Sequence, residues 1–203
     1  VSGLLAIEMS TGHGSIALLD RDGGIRCEER FEAVRGQGSR LFPVLESLAR
    51  ESAGIGRILV GLGPGSYAGL RVAIAAAAGF GRGLGLPLVG LPSVLGVEGE
   101  AFRYVGDARR GALHYARVDG GRIVEGPELV DPEALRARLA AESPGVPIFG
   151  PAPIPGFPEL EIRFPDAVTL AWAALRLGEA AWTLAPLEPL YLREASVTRP
   201  GGG

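Results

Sequence analysis

Apolar and polar positions change period in a definite order along the first ninety or so residues. A short apolar run, Leu4 to Ile7, stops at Glu8, and after a turn from Met9 to Gly14 a second run covers Ser15 to Leu19. Asp22-Gly23-Gly24 marks a tight reversal into a third strand, Ile25 to Phe31, because Asp-Gly tolerates the positive φ angles of a hairpin turn. Leu41, Val44, Leu45 and Leu48 then recur at i, i+3, i+4 and i+7. That spacing predicts one face of a helix, with Pro43 confined to its first turn and Gly54 and Gly56 ending it. Ile58 to Leu62 is apolar without alternation, as expected of a parallel strand covered on both faces. A glycine-rich loop, a helix from about Gly69 to Leu84 and a buried strand from Pro87 to Gly90 complete the set, which predicts a mixed sheet with helices on its faces.

The second half repeats the first. Asp107, like Glu8, ends a short strand and opens a small polar turn, and a second strand follows it into Asp119-Gly120-Gly121 and a third strand. Asp131 as N-cap, Pro132 at the first position and Glu133 in the first turn start a helix, which Ser143-Pro144-Gly145 stops ahead of a strand from Val146 to Phe149. Asp166 caps a last helix, with Val168, Ala171, Trp172, Leu175 and Trp182 expected on its buried face. A duplicated β-β-β-α-β-α unit is the pattern of the α/β actin-like ATPase and ribonuclease H-like (ASKHA) architecture. The second copy is compressed, since Pro151, Pro153, Pro155 and Pro158 stand where a fuller member would carry more structure. The expected division is a complete lobe at 1–95, a reduced lobe at 96–185 and a tail at 186–203.

Composition narrows the chemistry. At 47% hydrophobic and 21% charged, the 203 residues can build a real core. All 20 basic residues are arginine, and the lack of lysine excludes a Walker-type phosphate lysine, a Schiff base and pyridoxal-phosphate chemistry. With His13, His114 and Cys27 as the whole His/Cys complement, no His/Cys zinc site and no intrachain disulfide is expected. The net charge of −3 gives no global drive toward nucleic acid or anionic lipid. The apolar stretch from Val72 to Leu91 is broken by Arg82 and Pro87 and makes a poor membrane span. With no cationic leader at the start of the sequence and a free thiol, a cytoplasmic location is expected.

Gly63-Pro64-Gly65-Ser66-Tyr67-Ala68-Gly69-Leu70-Arg71 is the most informative segment. It is a strand-to-helix turn whose free N–H groups, with Arg71 nearby, would suit an anion; the plainer reading is that its glycines permit a tight turn and close packing. It is not a Walker loop, because the Gly-Lys-Ser/Thr ending is missing. The helix that follows carries Ala73, Ala75, Ala76, Ala77, Ala78 and Gly79, small residues that let a second helix approach closely and that equally suit sheet coverage. Arg103, Arg109, Arg110, Arg117 and Arg122 cluster around the second hairpin. They read as a contact for transfer RNA phosphates, an acidic partner or plain solvent, and no direct RNA recognition is expected.

Four motifs in order resemble one family. Gly63–Arg71 is similar to the GPGS-[FY]-T-G-[LV]-R signature of the TsaB (YeaZ) family; Leu5-Ala6-Ile7-Glu8-Met9-Ser10 to its LAIDTS strand; Gly106-Asp107-Ala108-Arg109 to its IDAR turn; and Glu188–Arg193 to its EPxYLR ending. The resemblance implies a non-catalytic relative of the TsaD subunit of the machinery that makes threonylcarbamoyladenosine in transfer RNA. Such a protein works as the partner of TsaD together with the ATPase TsaE, pairs with itself when alone, and meets tRNA only indirectly. It implies contacts on the first two helices and the glycine loop: Leu41, Leu45, Leu48, Gly63, Pro64, Gly65, Ser66, Tyr67, Gly69, Leu70, Arg71, Ile74 and Ala77. Glu8, Ser10, Thr11, Gly12 and Asp107 would be a vestigial nucleotide site. Departures accompany this: Glu8 replaces an Asp, Ala68 a Thr, Gln37 a His, and Gly150-Pro151-Ala152-Pro153 the adenosine-side glycine pair. No catalytic residue, metal or cofactor is expected in the chain itself, with ATP or ADP at a joint interface left open. The alternatives are an independent magnesium-dependent ATPase or kinase using Glu8 and Asp107, and a glycoprotease-like peptidase, against which the histidine census argues.

Overall fold

The computed structural model describes residues 3–32, 40–51, 54–141 and 145–192; Gln37, the Ser143-Pro144 helix stop and Arg193 lie outside them. The first half runs β1 (Gly3–Glu8), β2 (His13–Leu19), β3 (Ile25–Glu32), α1 (Leu41–Glu51), β4 (Ile55–Gly61), α2 (Tyr67–Leu84) and β5 (Leu88–Leu91). A 3-10 turn at Ser93–Gly96 leads to β6 (Phe102–Asp107), β7 (Leu113–Asp119), β8 (Arg122–Val130), α3 (Pro132–Ala141), β9 (Ile148–Gly150), β10 (Glu161–Ile162), α4 (Ala167–Leu177) and β11 (Thr183–Leu184).

The duplication is visible in the sheets. One has the order β11-β5-β4-β1-β2-β3 and the other β10-β9-β6-β7-β8. Each contains an antiparallel three-strand meander, β1-β2-β3 or β6-β7-β8, with parallel strands added on the far side of its first strand. In the second copy no helix separates β9 from β10, and the proline segment fills that place.

Three apolar clusters hold the layers together. Leu5, Ile7, Ile16, Ile58 and Val60 on one face of the first sheet pack against Leu41, Leu45 and Leu48 of α1 and Ala73, Ala76 and Ala77 of α2. Leu4, Ala6, Ala17, Leu19 and Leu59 on its other face meet α4, which also touches Phe102, Tyr104, Ala116 and Val118 of the second sheet. Coverage on both faces explains why β1 and β4 show no polar alternation. The outer face of the second sheet packs Val105, Leu113 and Tyr115 on Leu135 of α3, with Ile148 and Phe157. The segment after residue 166 thus returns to the first sheet: α4 packs on β1 and β2, β11 pairs with β5, and the Leu190 N–H donates to the Leu62 carbonyl at 2.8 Å.

Two expectations for α4 are corrected. Trp172 is not buried: it stays 47% exposed while its indole N–H donates to the Gly23 carbonyl at 2.9 Å, so it closes over the first hairpin turn. Trp182 lies beyond the helix, which ends at Gly178; its ring is capped by Arg57, whose guanidinium carbon sits 4.6 Å from the ring centroid. Among the described residues no helix is long and apolar enough to cross a membrane.

Candidate functional site

The glycine loop is shaped by what lies beneath it. Gly63 turns at φ 91°, with its N–H on Ser93 Oγ and its carbonyl accepting from Ser93 N, both at 2.9 Å. Ser66 N donates to the Ser10 carbonyl at 2.6 Å, and Ser66 Oγ accepts from Gly69 N at 3.2 Å as the N-cap of α2. A Cβ on Gly65 would collide with the Ser10 carbonyl, and one on Gly69 with that of Met9. The loop glycines therefore serve close packing against the β1–β2 turn, the plainer of the two readings.

The expected contact residues divide into floor and surface. Leu41, Leu45, Leu48 and Ala77 are buried and attach α1 and α2 to their own sheet, and Gly63 and Leu70 are buried against each other at the loop, so the assignment of these six to a contact surface is corrected. Pro64, Gly69 and Ile74 are half-buried, and Gly65, Ser66, Tyr67 and Arg71 are exposed. The outward face of α2 is formed by Tyr67, Ala68, Arg71, Ala75, Ala78 and Gly79, and α1 adds Phe42, which is 55% exposed. A Cβ on Gly79 or Gly83 would meet nothing within 4 Å, so neither glycine is required by packing inside the chain. Phe42 escaped the sequence reading because it falls off the i, i+3, i+4, i+7 face; its signal was being a large apolar residue on the polar side of an amphipathic helix.

Four of the five expected nucleotide-site residues, Ser10, Thr11, Gly12 and Asp107, line a cleft of about 760 Å³. Ser10, Thr11 and Gly12 from the first turn face Asp107, Ala108 and Arg109 from the second, with Pro64–Tyr67, Pro151–Ile154 and Leu190–Leu192 completing the walls. Asp107 Oδ1 already accepts from Arg109 N at 2.7 Å. Arg109 and Arg110 both hold left-handed φ angles, 65° and 53°. His114 forms part of the cleft lining, and burial pulls its pKa down to about 4 against the opposing pull of Asp107. The sequence had singled out neither the cleft role of His114 nor that of Tyr191.

Glu8 does not join that cleft, which corrects its place in the nucleotide site. It is fully buried: Oε1 accepts from Ser10 N at 2.6 Å, while Oε2 points beneath the strand toward Gly61 and Ser93. A Cβ at residue 61 would strike that oxygen, so Gly61 makes the room the longer acid needs. Burial raises the Glu8 pKa, and the Ser10 and Ser93 hydroxyls with the Ser10 N–H offset part of the rise. The actin-like fold implies Mg-ATP, but these residues do not fit it: the first-strand acid faces inward and the adenosine side is the proline segment. Among the described residues no group of three or more His, Cys, Asp and Glu side chains converges on a metal position.

The arginine cluster also changes on folding. Arg103 is buried, with Nη1 on the Val146 carbonyl at 2.7 Å, and Arg117 lies 3.8 Å from Glu125. The cluster does not act as a unit: Arg103 and Arg117 are cross-strand partners on β6 and β7, with Arg103 buried, while Arg109 lines the cleft.

Comparison with known proteins agrees with this geometry. A family model described as "TsaD: tRNA N6-adenosine threonylcarbamoyltransferase" matches residues 16–123. A Mycobacterium tuberculosis protein of uncharacterised role is 32% identical, with 95% of this chain and 92% of that protein aligned. The Escherichia coli tRNA threonylcarbamoyladenosine biosynthesis protein TsaB is 29% identical over 67% of this chain and 65% of its own. A Pseudomonas aeruginosa crystal structure described as similar to peptidase YeaZ superposes with a TM-score of 0.69 at 25% identity, covering 95% of this chain and all of that one. P. aeruginosa YeaZ itself gives 0.66 at 24%, with the same coverage. Duplicated sheets, ordered motifs and near-complete alignments converge: the chain belongs to the TsaB (YeaZ) family, on the actin-like, ribonuclease H-like fold.

Proposed function

We propose that this chain acts in tRNA threonylcarbamoyladenosine modification as a non-catalytic subunit that docks a TsaD-like catalytic protein and holds it in its working arrangement, with a TsaE-like ATPase. The observation that carries this is the outward face of α2, with its alanines, two spare glycines and exposed Tyr67, and the exposed Phe42 of α1, on helices whose Leu41, Leu45, Leu48 and Leu70 are buried within the chain. Small residues let a partner helix come close enough to bury backbone as well as side chain. The inward-turned Glu8 removes the acid an independent nucleotide enzyme would need at its cleft. In the absence of the partner, a second copy of the chain would cover the same face. ATP or ADP belongs in this picture only at the joint interface.

Co-elution with the TsaD-family protein of the same organism tests the reading. Wild type should co-elute and switch on tRNA modification by the partners, whereas Ala75→Arg, on the exposed face, should do neither. Modification proceeding fully without this chain overturns the proposal. An independent ATPase or kinase stays in contention because Ser10, Thr11, Gly12 and Asp107 do share one cleft. Calorimetric titration with Mg-ATP decides it, since tight binding with turnover by the lone chain would establish that alternative.

A further inference from the structure

Arg109 has no tyrosine, phenylalanine or tryptophan within four positions in sequence, yet folding brings two tyrosines to its cleft. Tyr67 opens α2 and Tyr191 lies near the other end of the chain; their ring centroids are 5.6 Å apart with a 37° tilt. Arg71, one turn along α2, places its guanidinium carbon 4.2 Å from the Tyr67 ring centroid and donates from Nε to the Tyr191 hydroxyl at 3.2 Å. Both tyrosines are about half exposed, at 54% and 47%. They line the same cleft as Arg109, whose side chain is 88% exposed and whose Nη1 lies 3.7 Å from Asp107 Oδ2.

Exposed rings fixed in place by an arginine are a stacking platform, because every nucleobase offers a π-face and ordering the rings in advance lowers the entropy lost on binding. The cleft beside them mixes proline, leucine and isoleucine side chains with glycine main chain and carries the exposed Arg109, a lining that suits a base and its phosphate together, whereas the small-residue surface for a protein helix lies on the outward face of α2. A duplex keeps its bases stacked inside, so such a platform selects unpaired nucleotides. We propose that Tyr67, Arg71 and Tyr191, with Arg109 of the same cleft, form a binding site for single-stranded RNA. An unpaired base stacks on the tyrosine pair, and Arg109 meets the adjoining phosphate. The choice of RNA rests on the tRNA-modification reading above, and it gives this chain a direct hold on the substrate as well as a docking role.

Tyr67 and Arg71 stand where the two surfaces meet, so Tyr191 and Arg109 are the deciding positions. Fluorescence anisotropy of the full chain with a labelled single-stranded oligoadenylate, and with an RNA duplex of equal length, reads the site at low and raised salt. The single strand should bind at least tenfold more tightly than the duplex. Tyr191→Ala should weaken it at least fivefold, with Tyr191→Phe retaining most of the binding. Arg109→Gly, which suits the left-handed φ, should lower affinity and flatten the salt dependence. Thermal melts confirm that each variant is folded, and capture of the TsaD-family partner, measured in parallel, separates failure of this site from failure of the docking proposal. Absence of single-strand binding at low salt, or a Tyr191→Ala variant that binds like wild type, overturns the site. So does a Tyr191→Ala variant that loses the protein partner while RNA binding is unchanged, which would make the tyrosines part of the protein interface.

Discussion

Gly79→Ala separates stability from docking in one substitution. Glycine inside a helix costs about 0.5–1 kcal/mol relative to alanine, because its unfolded backbone has more freedom to lose. A methyl at Gly79 meets no other atom within 4 Å, so nothing in the folded chain opposes the gain. The variant should therefore be about 0.5–1 kcal/mol more stable, which for a chain of this length is a rise in Tm of roughly 1–4 °C. Gly81 supplies the contrast: its methyl would strike the Leu88 side chain and lie 3.0 Å from the Leu86 carbonyl oxygen, so Gly81→Ala should lose about 1–3 kcal/mol. Scanning calorimetry at concentrations where sedimentation shows a monomer measures both. Against the partner the sign reverses, because a methyl on a face that a second helix approaches closely overpacks the contact, weakening association by about 1–3 kcal/mol. A lower Tm for Gly79→Ala in the isolated chain would refute the open-face geometry. A higher Tm with partner affinity unchanged would move the interface off this part of α2.

Ala77 and Ala75 share a helix and differ only in face, so Ala77→Arg should prevent folding by burying an unpaired charge, while Ala75→Arg should fold normally by circular dichroism and lose partner binding. His114 keeps its ring neutral in the folded chain down to about pH 4, so on acidification from about 6.5 the unfolded chain takes up a proton that the native state refuses. Stability should fall through that window by about 1.4 kcal/mol per pH unit, to roughly 3 kcal/mol in total. Urea titrations of wild type and His114→Gln should diverge accordingly; parallel curves would contradict the burial argument. Glu8 acts in the opposite sense, because its folded pKa is raised and stability is lost as pH climbs above about 4.5. Glu8→Gln should gain on wild type with rising pH in the same assay, and a variant that loses ground would show that the hydrogen bonds to the carboxylate outweigh the cost of burying its charge.

Residue order by itself determined the features whose causes are local. Asp131 and Asp166 cap their helices through hydrogen bonds to residues two and three positions on, and Asp22-Gly23-Gly24 turns a hairpin by backbone preference, so both are readable without tertiary knowledge. The repeated meander followed from such signals recurring in order, and the fold class with it. Tertiary structure decided what symmetry of composition conceals. Ala73, Ala76 and Ala77 face the sheet and Ala75 and Ala78 face out, a distinction no periodicity carries when every position is small and apolar. Trp172 turns outward because the β2–β3 turn offers its indole a carbonyl, and Glu8 turns inward because Gly61 on a neighbouring strand leaves room. Tyr67 and Tyr191 meet only because the segment after α4 returns to the first sheet, where Leu190 bonds to Leu62. Contacts of that range are set by strand order and chain return, and so they exist only once the sheets have formed.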